Sequence, residues 1–386
     1  RREERHAPQA WCDSLAPAFT DAWKTLDIDY TNFVRTTEDR QTRAVQKFWG
    51  DLYEKGWLYK SAYEGWYCVH EETYYAESDL EKNEDGEFVC PDCKRPVRYE
   101  SSGEENWFFK LSEFQEPLLK FYEENPDFIR PETRKNEVVT FVKSGLKDLS
   151  ISRSTFDWGV PLPFDEGHVA YVWADALLAY LTGIGYGDEQ RAGEFDQRWP
   201  MQYHFVGKDI TRFHCVIWPA MLMAAGLPVT HTVFGHGFLL TKGEKMSKSL
   251  NNFLLLHEVL EQVRPAALRM LMLQSHYRSP LNYSGEILMQ AKAALERLST
   301  AKDNLDFFCQ NGADGEMTAA EAETLASLSV YRQKFCDAMD DDFNTADAIS
   351  AIFELVREIN TAVSPASDPS KTLAQACLDR FLELCD

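Results

Sequence analysis

Apolar positions along residues 1–60 recur at intervals of three and four. Leu15, Phe19, Trp23 and Leu26 do so in SLAPAFTDAWKTL, and Val45, Phe48, Trp49 and Leu52 in RAVQKFWGDLYEKGW. That spacing lines one side of a helix and predicts two amphipathic helices. Over residues 61–110 the period changes. YEGWYCVHEETYY and NWFFKLS are aromatic-rich runs flanking an acidic turn, LEKNEDGE, and they predict strands. Residues 111–150 return to helical spacing. From 151 to 250 strands and helices alternate. HVAYVWADALLAYL runs from a strand into a helix, MQYHFVGKDITRFHCVIWPAMLMAAGLP repeats that order, and the strand HTVFGHGFLL follows. Such alternation predicts an α/β fold with a parallel sheet and a ligand at the carboxyl ends of its strands. Gly207 closes one of these strands, and Asp209 and His214 lie just beyond it. Past about residue 255 the chain reads as helices. Ile349, Ile352, Phe353, Val356, Ile359 and Val363 fall on one stripe, with Asn344 or Thr345 as the N-cap. NGADGEMTAAEAET reads as a polar linker between helices.

The chain has 386 residues, room for two or three domains with their own cores. Its longest apolar run, CVIWPAMLMAAGLPV, is shorter than the ~18–20 residues of a membrane helix and carries prolines. It reads as buried core, and no membrane partner is expected. A net charge of −22 argues against nonspecific binding to nucleic acid or anionic membranes as the main activity. It leaves room for a locally basic groove that takes a phosphate backbone specifically. Nine cysteines, an odd number spread along the chain, do not make a disulfide framework. RREERHAPQAW at the start has charge but no apolar run behind it. Together these predict a cytoplasmic protein with reduced thiols. The first residue is not Met, which reads as a trimmed start.

Two clusters carry chemistry. In KGEKMSKSLNNF, Lys245 and Lys248 stand three residues apart in a polar loop. Two ammonium groups on such a loop can neutralise a transferring phosphoryl group, and Gly243 gives the loop freedom to move. Taken alone, the same residues also suit a solvated turn. The second cluster is CPDC, with Cys90 and Cys93, and Cys68 some twenty residues earlier. Tetrahedral zinc wants four ligands, usually as two such pairs. Glu71 stands where the first pair would have its second cysteine, and His70 is beside it. Two readings stay open. One is a structural Zn2+ on Cys68, Cys90, Cys93 and either His70 or Glu71. The other is a knuckle without metal, packed on aromatics.

KMSKS is the signature loop of class I aminoacyl-tRNA synthetases. VRTTEDRQTRAVQKFW, YEGWYCVHEE, CPDCKRPV, EENWFFKLS, GLKDLSISR, WGVPLP, VAYVWADALLAYLTG, FVGKDITRFHCVIWPAML and GHGFLL resemble, in order, the methionyl-tRNA synthetase family over about residues 10–250. Beyond the loop, NNFLLLHEVL, LRMLMLQSHYRSPLNYS and AMDDDFNTADAISAIFELVREIN are similar to the C-terminal part of the cysteinyl-tRNA synthetases. The chain therefore reads as a composite. The resemblance implies a class I nucleotide-binding, Rossmann-like parallel sheet with an inserted connective domain, followed by an all-α bundle. By it, residues 1–55 are a remnant of the first half of the nucleotide-binding domain, and 56–150 the connective domain with its cysteine knuckle. Residues 151–240 are the second half, 241–285 the KMSKS loop and stem-contact region, and 286–386 a cysteinyl-type helical bundle.

The same resemblance assigns the site. Trp173, Ala176, Tyr180, Ile210 and His214 match positions that line a methionine pocket, with Leu177 where the family pattern has proline. An aromatic wall and aliphatic floor suit a polarisable thioether. Lys245, Met246, Ser247, Lys248 and Ser249 would hold ATP together with Gly207; Asp209 would meet its ribose or organise the pocket, and Gly235, His236 and Gly237 would lie near the adenine. Lys245 and Lys248 would be catalytic. Arg153 would contact the tRNA acceptor end or close an interface, and His276 and Arg278 lie in the stem-contact region. The family's other signature, His-x-Gly-His, is absent, because no two histidines here are three residues apart. The chain thus reads as beginning just after the family's first strands. The implied activity is methionine–tRNA ligase, using ATP and Mg2+, with methionine and tRNA, the methionine tRNA first, as partners. The missing signature makes a truncated, inactive form part of that expectation. The alternatives are an inactive synthetase-like fragment that binds tRNA or another partner, and, third, a cysteine–tRNA ligase.

Overall fold

The computed structural model describes residues 7–70, 73–75, 77, 80–83, 85–241, 243–246 and 252–385. They divide into two compact units, Arg1–Leu15 with Tyr30–Gly235, and Ala16–Asp29 with His236–Asp386.

The first unit is organised by the helix Asp39–Glu54. Val45, Phe48, Trp49 and Leu52 are fully buried on the face that the sequence spacing predicts. Burying side chains of this size stabilises by about 1.5–3 kcal/mol each. Trp49 also donates from Nε1 to the Ala174 carbonyl at 2.8 Å, tying the helix to the segment that carries the candidate site. The earlier predicted helix forms as well, over Pro8–Thr25, but buries none of its residues.

The aromatic runs of residues 58–109 form an antiparallel sheet. Leu58–Cys68 pairs with Thr73–Tyr75 on one side and Arg98–Phe109 on the other, and Arg98–Phe109 pairs in turn with Leu149–Ser150. A second sheet holds Tyr203–Gly207, Thr232–His236 and Ile129–Arg130 in that order, with the last two parallel. The connection from Tyr203–Gly207 to Thr232–His236 runs through the helix Trp218–Ala225, which is almost wholly buried. This is the α/β frame with a parallel sheet that the alternation predicts. One strand departs from the expectation. Asp165–Ala170 is not in the parallel sheet but pairs antiparallel with Pro161–Leu162 and with Ser152–Arg153. Only two residues separate Leu162 from Asp165, and a return that short can join antiparallel strands alone.

In the second unit, helices Pro265–Leu273, Gly285–Asn311, Thr345–Ala362 and Lys371–Cys385 share one apolar core. Ile352, Leu355, Val356, Ile359 and Val363 are buried in it. Asn344 caps the third of these helices by accepting from the Asp347 amide. The expected polar linker is only half a linker. Thr318 and Glu321 form a reciprocal capping box, so AAEAET opens a helix, Ala319–Ser327.

Candidate active site

The strand Tyr203–Gly207 ends where the sequence places its candidate pocket. Beyond Gly207 the chain makes a 3-10 turn, Lys208–Ile210, and then a π-helical turn, Phe213–Ile217. A π turn is a recurrent feature of functional sites. The Cys215 carbonyl, whose helical donor position four residues on is Pro219, accepts from the Tyr122 hydroxyl at 2.6 Å. Opposite lie two short helices, Val172–Ala176 and Ala179–Thr182, interrupted at Leu177 and Leu178. Leu177 is buried, and its amide reaches the Trp173 carbonyl at only 3.4 Å, with φ at −62°. That backbone is one proline adopts, with little hydrogen bonding to lose.

Two side-chain contacts zip these segments together. Trp173 stacks on Phe213 with ring centroids 3.8 Å apart and planes 18° from parallel. The Tyr180 hydroxyl lies 2.7 Å from His214 Nε2. His214 Nδ1 lies 3.0 Å from the Ile210 carbonyl, which can only accept, so Nδ1 carries the proton and Tyr180 donates to Nε2. Burial holds His214 below its usual range despite the Ile210 carbonyl, and raises Tyr180 to about 12. The pair is therefore neutral at pH 7, and both imidazole nitrogens are engaged, Nε2 by Tyr180 and Nδ1 by the Ile210 carbonyl. A thioether, which needs no strong donor, loses nothing on entering such a place. Ala176 is one turn from each of Trp173 and Tyr180. Trp173, Tyr180, Ile210 and His214 are thus brought together.

Sequence reasoning missed several residues that hold this wall. Phe213 is the stacking partner of Trp173. Gln41 donates from Nε2 to the Asp175 carbonyl at 2.8 Å and to its Oδ1 at 2.7 Å. Burial pushes Asp175 up to about 6, with the Gln41 bond opposing it. His204 packs against Tyr180, ring centroids 4.4 Å apart. No sequence pattern marks these contacts, because each partner comes from a distant part of the chain.

Of the residues assigned to ATP, Gly207 ends its strand and Asp209 is exposed on the following turn. Gly235 is buried. A Cβ there would meet Thr211 Cγ2 at 2.8 Å and Arg134 Cγ at 3.1 Å. In the second unit, a Cβ on Gly237 would meet the Pro280 backbone at 3.0 Å. Both glycines answer close approaches within the protein. His236 is exposed, with Nδ1 2.9 Å from the Gly237 carbonyl. Leu239–Thr241 and Glu244–Lys245 form a hairpin whose turn uses Gly243 at φ +84°. Lys245 is exposed, its ammonium 4.1 Å above the Phe238 ring. Met246 donates from its backbone amide to Leu239 at 2.9 Å. Ser247, Lys248 and Ser249 lie outside the described residues.

Arg153 is held locally. Its Nη1 donates to the Ser152 carbonyl and to Ser150 Oγ, and its guanidinium lies 4.4 Å from the Tyr171 ring centroid. Arg278 pairs with Asp342 at 3.1 Å and also contacts His276.

The Sγ atoms of Cys68, Cys90 and Cys93 lie within 4.8 Å of one another, and the first and last are 3.5 Å apart. Burial raises the Cys90 thiol. The amides of Cys93 and Asp92, the Tyr75 hydroxyl and Cys68 outweigh it and hold Cys90 below its ordinary range. Burial pushes Cys93 up to about 11. Three convergent sulfurs, one cradled by amides, fit a metal knuckle. His70 is exposed and not among the grouped donors, and Glu71 lies outside the described residues.

Comparison with known proteins places the chain among class I aminoacyl-tRNA synthetases. The family model "tRNA synthetases class I (M)" matches residues 2–294, and a DALR domain matches 334–386. The chain belongs to the methionyl-tRNA synthetase family. It is 49% identical over 273 residues to methionine–tRNA ligase of Caldanaerobacter subterraneus subsp. tengcongensis, which covers 71% of this chain and 42% of that protein. The Brucella suis biovar 1 ligase is 40% identical over 371 residues, covering 93% of this chain and 70% of that protein. The structure of Mycobacterium tuberculosis methionyl-tRNA synthetase in complex with methionyl-adenylate superposes with TM-score 0.83 at 33% identity, over 97% of this chain and 76% of that one. The helical tail thus lies mostly within the length that methionyl relatives cover. The chain spans about two fifths of the length of the first of these relatives. Among the described residues, no helix is long and apolar enough to cross a membrane.

Proposed function

We propose that this chain carries the amino-acid site of a methionine–tRNA ligase. The observation that supports the reading most is the neutral Tyr180–His214 pair, set beside the Trp173–Phe213 stack at a strand end. Methionine's side chain would lie against Trp173, Ala176, Tyr180, Ile210 and His214. Its carboxylate would attack the α-phosphorus of ATP, and pyrophosphate would leave with Mg2+. The terminal ribose hydroxyl of the tRNA would then attack the adenylate. Charge neutralisation and positioning supply most of such a barrier reduction. Lys245 and Lys248 would stabilise the leaving phosphates, and Gly207, Asp209 and the Gly235–Gly237 segment would border the nucleotide. The Mycobacterium relative, which is in complex with methionyl-adenylate, supports an adenylate as the species this site would hold. A pocket of this kind separates methionine from smaller apolar amino acids by roughly 1–3 kcal/mol per methylene.

Cys68, Cys90 and Cys93 would hold a Zn2+ ion, whose chemistry is that of a structural cross-link. The chain's part is to converge the three sulfurs and to lower the Cys90 thiol.

The test is ATP–pyrophosphate exchange by the purified chain with methionine and with cysteine in parallel. Exchange with methionine alone is the outcome this reading predicts, and it would show that other residues stand in for the absent His-x-Gly-His signature. Exchange with cysteine alone would overturn the pocket assignment. No exchange with either would leave a binding role, toward tRNA or another partner, as the reading to pursue.

A further inference from the structure

The strand Tyr203–Gly207 alternates in burial. Tyr203 and Phe205 are exposed, while Val206 and His204 are buried, the histidine at 3% exposure. A histidine at such a position is costly. Sealing a polar ring away from water costs about 1–3 kcal/mol unless its atoms find partners, and a phenylalanine would fill the same space without that cost. The site therefore asks what the ring does there.

His204 makes three contacts. Its Nε2 is hydrogen-bonded to Thr230 Oγ1 at 3.1 Å, and Thr230 is itself 1% exposed. Its ring meets Tyr180 at 4.4 Å between centroids with planes 71° apart, the edge-to-face arrangement favoured by aromatic quadrupoles. It also lies 5.4 Å from the His214 ring at 66°. His204 thus touches both members of the hydrogen-bonded pair, and it is anchored on the far side by a residue just before the strand Thr232–His236. A tyrosine hydroxyl reaches its partner only when the ring's two torsions are fixed. The Tyr180 ring also has His214 at 5.6 Å and Trp218 at 6.0 Å. Of these three rings His204 is the closest, and its anchor, Thr230, lies on a different segment from the one that carries His214.

We propose that His204 is a positioning residue of the amino-acid pocket: pinned by Thr230, its ring fixes the plane of Tyr180 and so maintains the Tyr180–His214 hydrogen bond against which the ligand's side chain lies. The proposal rests on the methionine-pocket reading. Burial, followed by the nearby His214, takes His204 down to about 3, so the anchor carries no charge at physiological pH. The groups facing it are Tyr180, His214 and Thr230, none of them ionised at pH 7.

The experiment uses two variants of the full chain. Thr230→Val keeps the shape and removes the pin. His204→Phe keeps a ring and removes the hydrogen bond. Two readouts are taken on each. The first is the imidazole nitrogen spectrum of ligand-free protein labelled at histidine, in which His214 Nε2 reports whether it accepts from Tyr180. The second is the dissociation constant for methionine by titration calorimetry. Thermal melts confirm that both variants fold. The expected result is loss of the accepting signature at His214 in both variants, with methionine bound roughly tenfold more weakly, the scale of one buried hydrogen bond. A signature and an affinity unchanged in both variants would overturn the proposal and leave His204 as packing. A lost signature in a protein whose unmodified form takes up no methionine would overturn the pocket reading, and the proposal with it. A merely structural role would lower the melting temperature without moving the His214 signal.

Discussion

Trp173 and Phe213 stack at 3.8 Å and thereby join the helix before Ala176 to the π turn that carries His214. The two residues lie forty positions apart, yet they bring the two segments of the candidate site into contact. Stacked aromatic pairs contribute about 0.5–1.5 kcal/mol beyond the area they bury. Phe213→Leu keeps apolar bulk and loses the stack. The variant is expected to fold and to bind methionine about three- to tenfold more weakly, read by titration calorimetry beside a thermal melt.

Lys245 offers a separate test of the lysine hairpin. Its ammonium is exposed and rests on the Phe238 ring, so removing it should cost little stability. If it neutralises the leaving phosphates, Lys245→Ala lowers kcat for pyrophosphate exchange by roughly 100-fold or more, leaving methionine affinity as it was. Equal losses in both would place Lys245 in the amino-acid pocket instead.

Asp175 gives a pH dependence with a defined sign. Burial raises it from 3.8 to about 6, so the folded chain prefers the protonated carboxyl. The unfolded chain ionises earlier. The stabilisation is complete below about pH 4 and is lost as pH rises through about 6. Asp175→Asn keeps an acceptor for Gln41 and removes the ionisation. Its melting temperature is expected to gain on that of the unmodified chain between pH 4 and 7, in about that range. Parallel pH profiles for the two proteins would show that Asp175 titrates normally.

Two glycines separate packing from chain flexibility. A Cβ on Gly235 lands 2.8 Å from Thr211 Cγ2, whereas one on Gly193, inside the helix Ala192–Arg198, meets nothing within 4 Å. Gly235→Ala should destabilise by about 1–3 kcal/mol. Gly193→Ala should be neutral or stabilise by up to about 1 kcal/mol. Denaturant unfolding of both measures the contrast.

At the cysteine knuckle, the chain purified with zinc is expected to hold one ion. Cys90→Ser should lose it, and a chelator should lower the melting temperature of the unmodified chain but not of the variant. Metal analysis that finds no zinc in the unmodified chain would favour the reading in which the knuckle packs without metal.

How far the sequence alone could go is clear from particular residues. Val45, Phe48, Trp49 and Leu52 announce their buried face because a helix repeats its environment every three or four positions. Asn344 is legible as a cap, and Thr318 with Glu321 has the spacing of a capping box inside what first reads as a linker. The strand Asp165–Ala170 misleads because apolar alternation does not say which neighbour a strand takes; the two-residue return does. Trp173, Tyr180, Ile210 and His214 could be assigned together from a family resemblance, and the structure shows the contacts that join them. His204, Thr230, Gln41 and Phe213 could not be assigned, since their meaning lies in distances between remote parts of the chain. Asp342 pairs with Arg278 and accepts from the Tyr277 hydroxyl, partners that only folding brings near.

The most direct measurement is calorimetric titration of the chain with methionine and with cysteine, repeated on Tyr180→Phe. The account predicts that methionine binds, that cysteine binds at least tenfold more weakly, and that losing the Tyr180 hydroxyl weakens methionine by about tenfold. Cysteine binding as well as methionine, or methionine binding indifferent to Tyr180, would contradict it.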